Sequence, residues 1–150
     1  MKTAYFSLGC FWSPQLKFEK IKGVKKAEVG YCGGDDPNTT YEKVCSGSTN
    51  HAETIKVEFD ENEISYEELV RFFFKIHDPT QLNRQGPDIG TQYRSEIFYK
   101  DENQKKIAEK IKKEFNERLS GKVVTNISEE KLYQPAEEYH QYYLKRKGVL

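Results

Sequence analysis

The stretch Thr54 to Phe59, TIKVEF, alternates apolar and polar residues, and after a short acidic turn the chain continues as SYEELVRFFFKI. The alternation has the period of a strand with one buried face. The second segment has the period of a helix: Leu69, Phe72, Phe73 and Ile76 share one side, and Ser65 and Glu68 stand in capping-box spacing. A half-buried strand and an amphipathic helix this close together must cover each other's apolar sides. The chain is thereby committed to a sheet with helices laid against it.

The remaining segments extend that pattern. Thr3 to Leu8 reads as a strand. Ser13 is the expected N-cap of a helix with Pro14 at its first position, where a missing N–H costs nothing; the helix runs to about Ile21 and Gly23 ends it. Val24 to Tyr31 is a second strand, closed by Gly33-Gly34, and the polar loop Asp35 to Thr40 leads into a short turn of helix at Tyr41 to Val44. From His77 to Gln92 there is no periodicity, and two prolines and two glycines fall within 16 residues. A loop of that length inside a compact domain is usually functional. SEIFYK resumes as a strand, and Asn103 to Leu119 is a charged helix with Ile107, Ile111, Phe115 and Leu119 inward. Val123 to Ile127 is a last strand, and the tyrosine-rich tail Ala136 to Lys147 is expected to be helical. The expected class is α+β, a small mixed or antiparallel sheet packed with two longer helices. At 150 residues, the expectation is one domain spanning 1–150.

Charge removes several functions from consideration. The 24 basic and 24 acidic residues cancel, so no basic field exists to collect nucleic acid or anionic lipid. No stretch approaches membrane-spanning length and the first residues carry no leader signature, so the expected location is the cytoplasm. Three cysteines without a C-x-x-C pair suit neither a disulfide framework nor a zinc ribbon. His51 and His77 with Cys45 invite a metal reading, but their spacing offers no tight ligand pair, and no metal is expected.

Cys10 lies in LGCFWSP, at a strand-to-helix turn, where the free N–H groups of the following helix are expected to favour a thiolate. It is either a nucleophile or a small residue packed by Phe11 and Trp12. Two adjacent aromatics at a helix start do not both point inward easily, so at least one is expected at the mouth of a site. An apolar wall beside a thiol suits a small apolar substrate group. A cysteine hydrolase pair with His51 or His140 is one reading of these residues, and a module that binds methionine-containing peptides through Phe11 and Trp12 is another. Amide and ester substrates test the first; product formation with a thiol reductant tests the second.

Gly9-Cys10-Phe11-Trp12 is one of several blocks. With VGYCGG at 29 to 34, TYEKVCSGSTNHAE at 40 to 53, HDPTQLNRQGPDIGTQYRS at 77 to 95 and YHQYYL at 139 to 144, the chain resembles the A-type peptide methionine sulfoxide reductases in order and spacing over nearly its whole length. The resemblance implies a ferredoxin-like split βαβ core and a repair enzyme of oxidative stress. It implies reduction of the S epimer of methionine sulfoxide, free or in proteins, through attack of Cys10 on the sulfoxide sulfur and a sulfenic acid. It also implies Glu53 as the acid, kept protonated by an apolar neighbourhood, and Tyr41 and Tyr93 as hydrogen-bond donors to the sulfoxide oxygen. Asp88 would hold a water or the substrate amide, and Phe11 and Trp12 would form the pocket for the methyl group. No cofactor is implied, and the reductant would be thioredoxin, glutaredoxin or glutathione. Three departures stand out. Ser13-Pro14 replaces the usual glycine. Asn50 replaces another and is expected to keep a left-handed backbone. No resolving cysteine follows Cys45. The expectation is a single-cysteine enzyme whose sulfenic acid meets an external thiol directly, with Cys32, in its glycine-flanked turn, as the alternative resolving thiol.

Overall fold

The computed structural model describes residues 1–147. Its framework is a six-stranded sheet. Strand β1 (Lys2–Leu8) leads into helix α1 (Trp12–Glu19), strand β2 (Val24–Cys32), the short helix α2 (Tyr41–Cys45), strand β3 (Ala52–Phe59) and helix α3 (Tyr66–Lys75). The loop beyond α3 contains two two-residue strands, β4 (Arg84–Gln85) and β5 (Asp88–Ile89), paired around Gly86-Pro87, then a 3-10 turn at Thr91–Tyr93. Strand β6 (Ser95–Tyr99), helix α4 (Glu102–Arg118) and strands β7 (Asn126–Glu129) and β8 (Gln134–Pro135) follow, and the described chain closes on a 3-10 turn at Glu138–His140 and helix α5 (Tyr143–Arg146).

The sheet order is β7-β6-β1-β3-β2-β8, antiparallel throughout except for the parallel β6–β7 pair. Strands β1 and β2 run parallel with β3 between them, and β3 and β6 run parallel with β1 between them. These are two interlocked split βαβ units, the ferredoxin-like arrangement. The central strand β1 is covered along both edges and is buried from Ala4 onward, as a strand shielded on both faces requires.

The two-residue period divides the sheet's faces. Ala4, Phe6 and Leu8 of β1, Ala27, Val29 and Tyr31 of β2, and Ile55, Val57 and Phe59 of β3 face the helices. Tyr5, Cys32, Ala52 and Phe98 form a second, small cluster on the other side. The capping box is present, with the Ser65 hydroxyl accepting from Glu68 N–H. The buried set of α3 is Tyr66, Leu69, Val70, Phe73 and Phe74, wider than the stripe read from the sequence, while Phe72 and Ile76 are only partly buried. The reason is α4, which packs on α3's far side: Phe74 stacks on Phe115 at 5.0 Å, and Arg71 pairs with Glu114 at 2.8 Å.

Two other expectations are corrected. The last long strand begins at Asn126 rather than Val123, because the preceding residues are held elsewhere: Val123 N–H by Asn116, Val124 N–H by the Pro79 carbonyl, and the Thr125 hydroxyl by Ser95. The tail is not one helix from Ala136 to Lys147. Gln141 spends its side chain on both main-chain groups of Val29, and Glu137 bonds to Tyr31 and Tyr41, so the segment is drawn out along β2. Among the described residues no helix is long and apolar enough to cross a membrane.

Candidate active site

Gly9 turns the chain at the end of β1 with φ +103°, and a Cβ at that position would fall 2.9 Å from Gln85. Glycine therefore lets the β4–β5 loop close against the backbone beside Cys10. The cap expected at Ser13 is not used. Phe11 occupies the N-cap position with no side-chain cap of its own, and Ser13 is exposed in the first turn. The free Phe11 N–H donates instead to Oε1 of Glu53, at 3.2 Å, so a carboxyl from β3 does the work of a cap.

The alternation of β3 puts Glu53 on the helix-facing side with Ile55 and Val57, and only 1% of its surface is exposed. Its Oε2 is buried without a partner among the described residues. Burial pushes the carboxyl up to about 8, with Asp88 adding to the rise and the Phe11 N–H opposing it. At neutral pH Glu53 therefore carries a proton. Cys10 is pushed up to about 12, first by burial and then by Glu53, against the pull of the Trp12 N–H. The thiolate expected from the helix N-terminus is not preformed, because desolvation outweighs one favourable dipole end. Thiol and acid both rest protonated, side by side.

A carboxyl whose pKa in the folded state lies above its ordinary 4.5 contributes fully to stability below that value, and the contribution is lost as pH rises through about 8. Glu53→Gln removes this dependence. Between about pH 6 and about pH 9 the wild type should lose on the order of 2 kcal/mol relative to the variant. Urea denaturation of both proteins at the two pH values measures it, and parallel changes in both would contradict a buried, protonated Glu53.

Tyr41 opens α2, whose first turn is capped by the Thr40 hydroxyl. Its backbone N–H donates to Oε2 of Glu137 at 3.0 Å. Tyr93 ends the 3-10 turn, which Arg94 braces by donating to the Thr91 carbonyl at 2.9 Å while pairing with Glu96 at 2.6 Å. Both phenols titrate far above their ordinary value. For Tyr41 the causes are burial, the bond to Cys45 and the nearby Glu53; for Tyr93 they are burial, then Glu53. They are neutral hydrogen-bond donors at any physiological pH. Asp88, half-buried in β5, acts electrostatically on Cys10, Glu53 and Tyr93. Thus β3, α2, the β5 strand, the 3-10 turn and the β1–α1 turn converge on one small volume.

The structure places the other two thiols differently: Cys45 acts electrostatically on Cys10, while Cys32 lies behind the sheet. Cys45 lies one helical turn from Tyr41 on the same side of α2, exposed, with its carbonyl accepting from Gln92 at 3.5 Å. Cys32 faces the opposite side of the sheet from Cys10, packed with Tyr5, Ala52 and Phe98 and donating to the Lys131 carbonyl at 3.4 Å. The histidines are also apart. His77 bridges the Phe73 carbonyl and the Ser95 hydroxyl, at 2.7 Å and 2.8 Å, and His51 is buried against Gly34.

Phe11 is buried against Tyr31 at 5.8 Å, whereas Trp12 is half-buried and stacks on Tyr143 at 3.9 Å. The Trp12 indole N–H donates to Nδ1 of His140 at 3.1 Å. The tail thus supplies Glu137, Gln141 and Tyr143, which the sequence did not single out for the site, and His140, which it offered only as a hydrolase partner for Cys10. Gln15 of α1 joins them, donating to the Ala27 carbonyl at 2.9 Å and accepting from Tyr142 N–H at 2.7 Å. In the sequence this region is marked by His140 and by the place of the YHQYYL block in the family resemblance.

A split βαβ sheet that presents a thiol beside a buried, protonated carboxyl is the framework of a thiol-based oxidoreductase. Residues 2–149 match the model of the peptide methionine sulfoxide reductase family. The peptide methionine sulfoxide reductase MsrA of Pelagibacter ubique is 59% identical over 147 residues, covering 98% of this chain and 100% of its own. The crystal structure of Mxr1 from Saccharomyces cerevisiae in reduced form superposes with a TM-score of 0.93 at 39% identity, covering 98% of this chain and 86% of that one. Mxr1 in complex with Trx2 gives a TM-score of 0.68 at 26% identity, with 95% and 84% covered. The chain belongs to the peptide methionine sulfoxide reductase family, A type, and is an enzyme that reduces methionine sulfoxide.

Proposed function

We propose that residues 1–150 work as one cytoplasmic domain reducing the S epimer of methionine sulfoxide, free or in proteins. The observation that carries the reading is the buried carboxyl of Glu53 near Cys10, with a Glu53 Oε2 that has no partner among the described residues. A protonated Oε2 needs an acceptor, and a sulfoxide oxygen is one. Tyr41 and Tyr93 donate to the same oxygen, Phe11 and Trp12 enclose the methyl group, and Asp88 holds the substrate amide or a water.

As Glu53 protonates the departing oxygen, Cys10 Sγ attacks the sulfoxide sulfur and its own proton passes to the carboxylate just formed. Glu53 protonates the oxygen a second time, the substrate's S–O bond breaks and water leaves; a water oxygen then adds to Sγ, returning its proton to Glu53, as the new Sγ–S bond breaks with its electron pair going to the substrate sulfur, so that thiol plus sulfoxide gives sulfenic acid plus thioether. Two thiols from glutathione, a glutaredoxin or thioredoxin then restore Cys10, releasing water and their own disulfide. The thioredoxin option is supported by the complex that Mxr1 forms with Trx2. Resetting by an external thiol is supported by the burial of Cys32 behind the sheet.

With excess dithiothreitol the enzyme should stop when half of a racemic sulfoxide is consumed, leaving the R epimer. Consumption of both epimers would refute the stereochemical assignment. In a single turnover without reductant, titratable thiols should fall from three to two, with Cys10 trapped by dimedone. A fall to one, with an intramolecular disulfide, would refute direct resetting, and mapping the bond would identify Cys45 or Cys32 as its partner.

A further inference from the structure

Lys145, Arg146 and Lys147 are three consecutive cations in a protein whose formal charges cancel. The reaction scheme above uses none of them. Two of them, with Tyr139 and Tyr143, line a cleft of about 350 Å³, and no acidic side chain lines it. Tyr139 is 56% exposed, so a large ring is left open to water at one wall. Lys147 lies over the Tyr143 ring, 5.5 Å from its centre, and one nitrogen of Arg146 reaches Glu138 at 3.2 Å. That pair is at the surface and worth little, and it occupies one arm of a guanidinium that has five N–H donors. The cleft therefore offers two rings for an aliphatic stem and two cations for an anionic head.

Its position limits what the anion belongs to. Tyr143 stacks on Trp12 with 3.9 Å between ring centres and 13° between planes, so a single aromatic ring separates the cleft from the Trp12 wall. In an extended chain, side chains two residues apart point the same way and stand about 7 Å from each other, a spacing that steps over one stacked ring. We propose that the cleft is a subsite for polypeptide substrates, taking an acidic residue two positions from the oxidised methionine: its stem lies on Tyr139 and Tyr143, and its carboxylate meets Arg146 and Lys147. The proposal rests on the assignment of Trp12 to the methionine pocket and gives that pocket a sequence preference. Adjacency to Trp12 favours the substrate's own chain over a separate anionic partner.

The test uses five-residue peptides with blocked ends and oxidised methionine at the centre, carrying glutamate, glutamine or lysine at the first or the last position and alanine elsewhere. With excess dithiothreitol at low salt, kcat/KM should be about fivefold higher for glutamate than for glutamine at one of the two positions, and lower again for lysine. Salt at about 0.5 M should bring the three together. In Arg146→Gln/Lys147→Gln the ratio of glutamate to glutamine should fall to about one, and in Arg146→Glu/Lys147→Glu lysine should become the preferred residue. Each is a ratio within one enzyme, so a general loss of activity in a variant cancels. Equal rates on all three residues at both positions, or a glutamate preference that survives the double glutamine variant, would overturn the proposal. So would equal rates with dithiothreitol combined with slower turnover by thioredoxin in that variant, which would assign the cleft to the reductant. If the charge-reversed variant does not fold, the glutamine variant and the salt dependence decide. Failure of the wild type to reduce any peptide would instead sink the proposed reaction; the subsite is then decided by binding of the glutamate and glutamine peptides, read from the emission of Trp12, the only tryptophan.

Discussion

Replacing Cys10 with serine should abolish methionine sulfoxide reduction and leave the fold intact. The half-buried Cys10 side chain belongs to neither core cluster, so nothing in the packing distinguishes sulfur from oxygen there. The chemistry does. A serine hydroxyl is a far poorer nucleophile towards sulfur than a thiol, and accepting an oxygen atom would leave a hydroperoxide on serine, where cysteine gains a sulfenic acid. Loss of reduction with an unchanged thermal transition is the expected result. Activity within about tenfold of wild type would remove Cys10 from the reaction.

The second large effect concerns Glu53. Glu53→Gln keeps size and polarity and can still accept from Phe11 N–H, but it has no proton of suitable acidity to deliver. Turnover should fall by about 10² to 10⁴, the usual contribution of a general acid. In the wild type, kcat should decline as pH rises through about 8, where the carboxyl loses its proton. The variant's residual rate should lack that limb. A loss of only a few-fold, or the same alkaline limb in the variant, would contradict the assignment.

These predictions rest on residues whose positions were unequally readable from the chain. The alternation of TIKVEF and the Ser65–Glu68 capping box are local signals, and both appear in the structure as strand β3 and the start of α3. Asn50 also behaves as its residue type suggests, at φ +59°. Local rules failed where a partner distant in sequence intervened. Ser13 lost its capping role to Glu53, which reaches Phe11 across 42 positions. The acidity of Cys10 was misjudged because a helix start is visible in the sequence while the depth of burial is not. Cys32 is a case of parity: it follows Tyr31 on the same strand, so one residue of offset sends it to the opposite face. The tail resisted reading because its order comes from side-chain bonds of Gln141 and Glu137 to backbone elsewhere, which leave no periodic trace.

Trp12 and His140 meet across 128 positions, whereas β1, β3, β2 and β6 are all complete by Tyr99. During synthesis, the four central strands can pair while α4 and the tail are still being made. A chain at that stage holds its thiol at the proper turn but has no closed pocket beside it. At about 5–20 residues per second, the interval before residue 143 is added lasts several seconds. Growing chains thus pass through a period in which the body of the fold is nearly finished while the residues that bond to and stack on Trp12 have not yet been made.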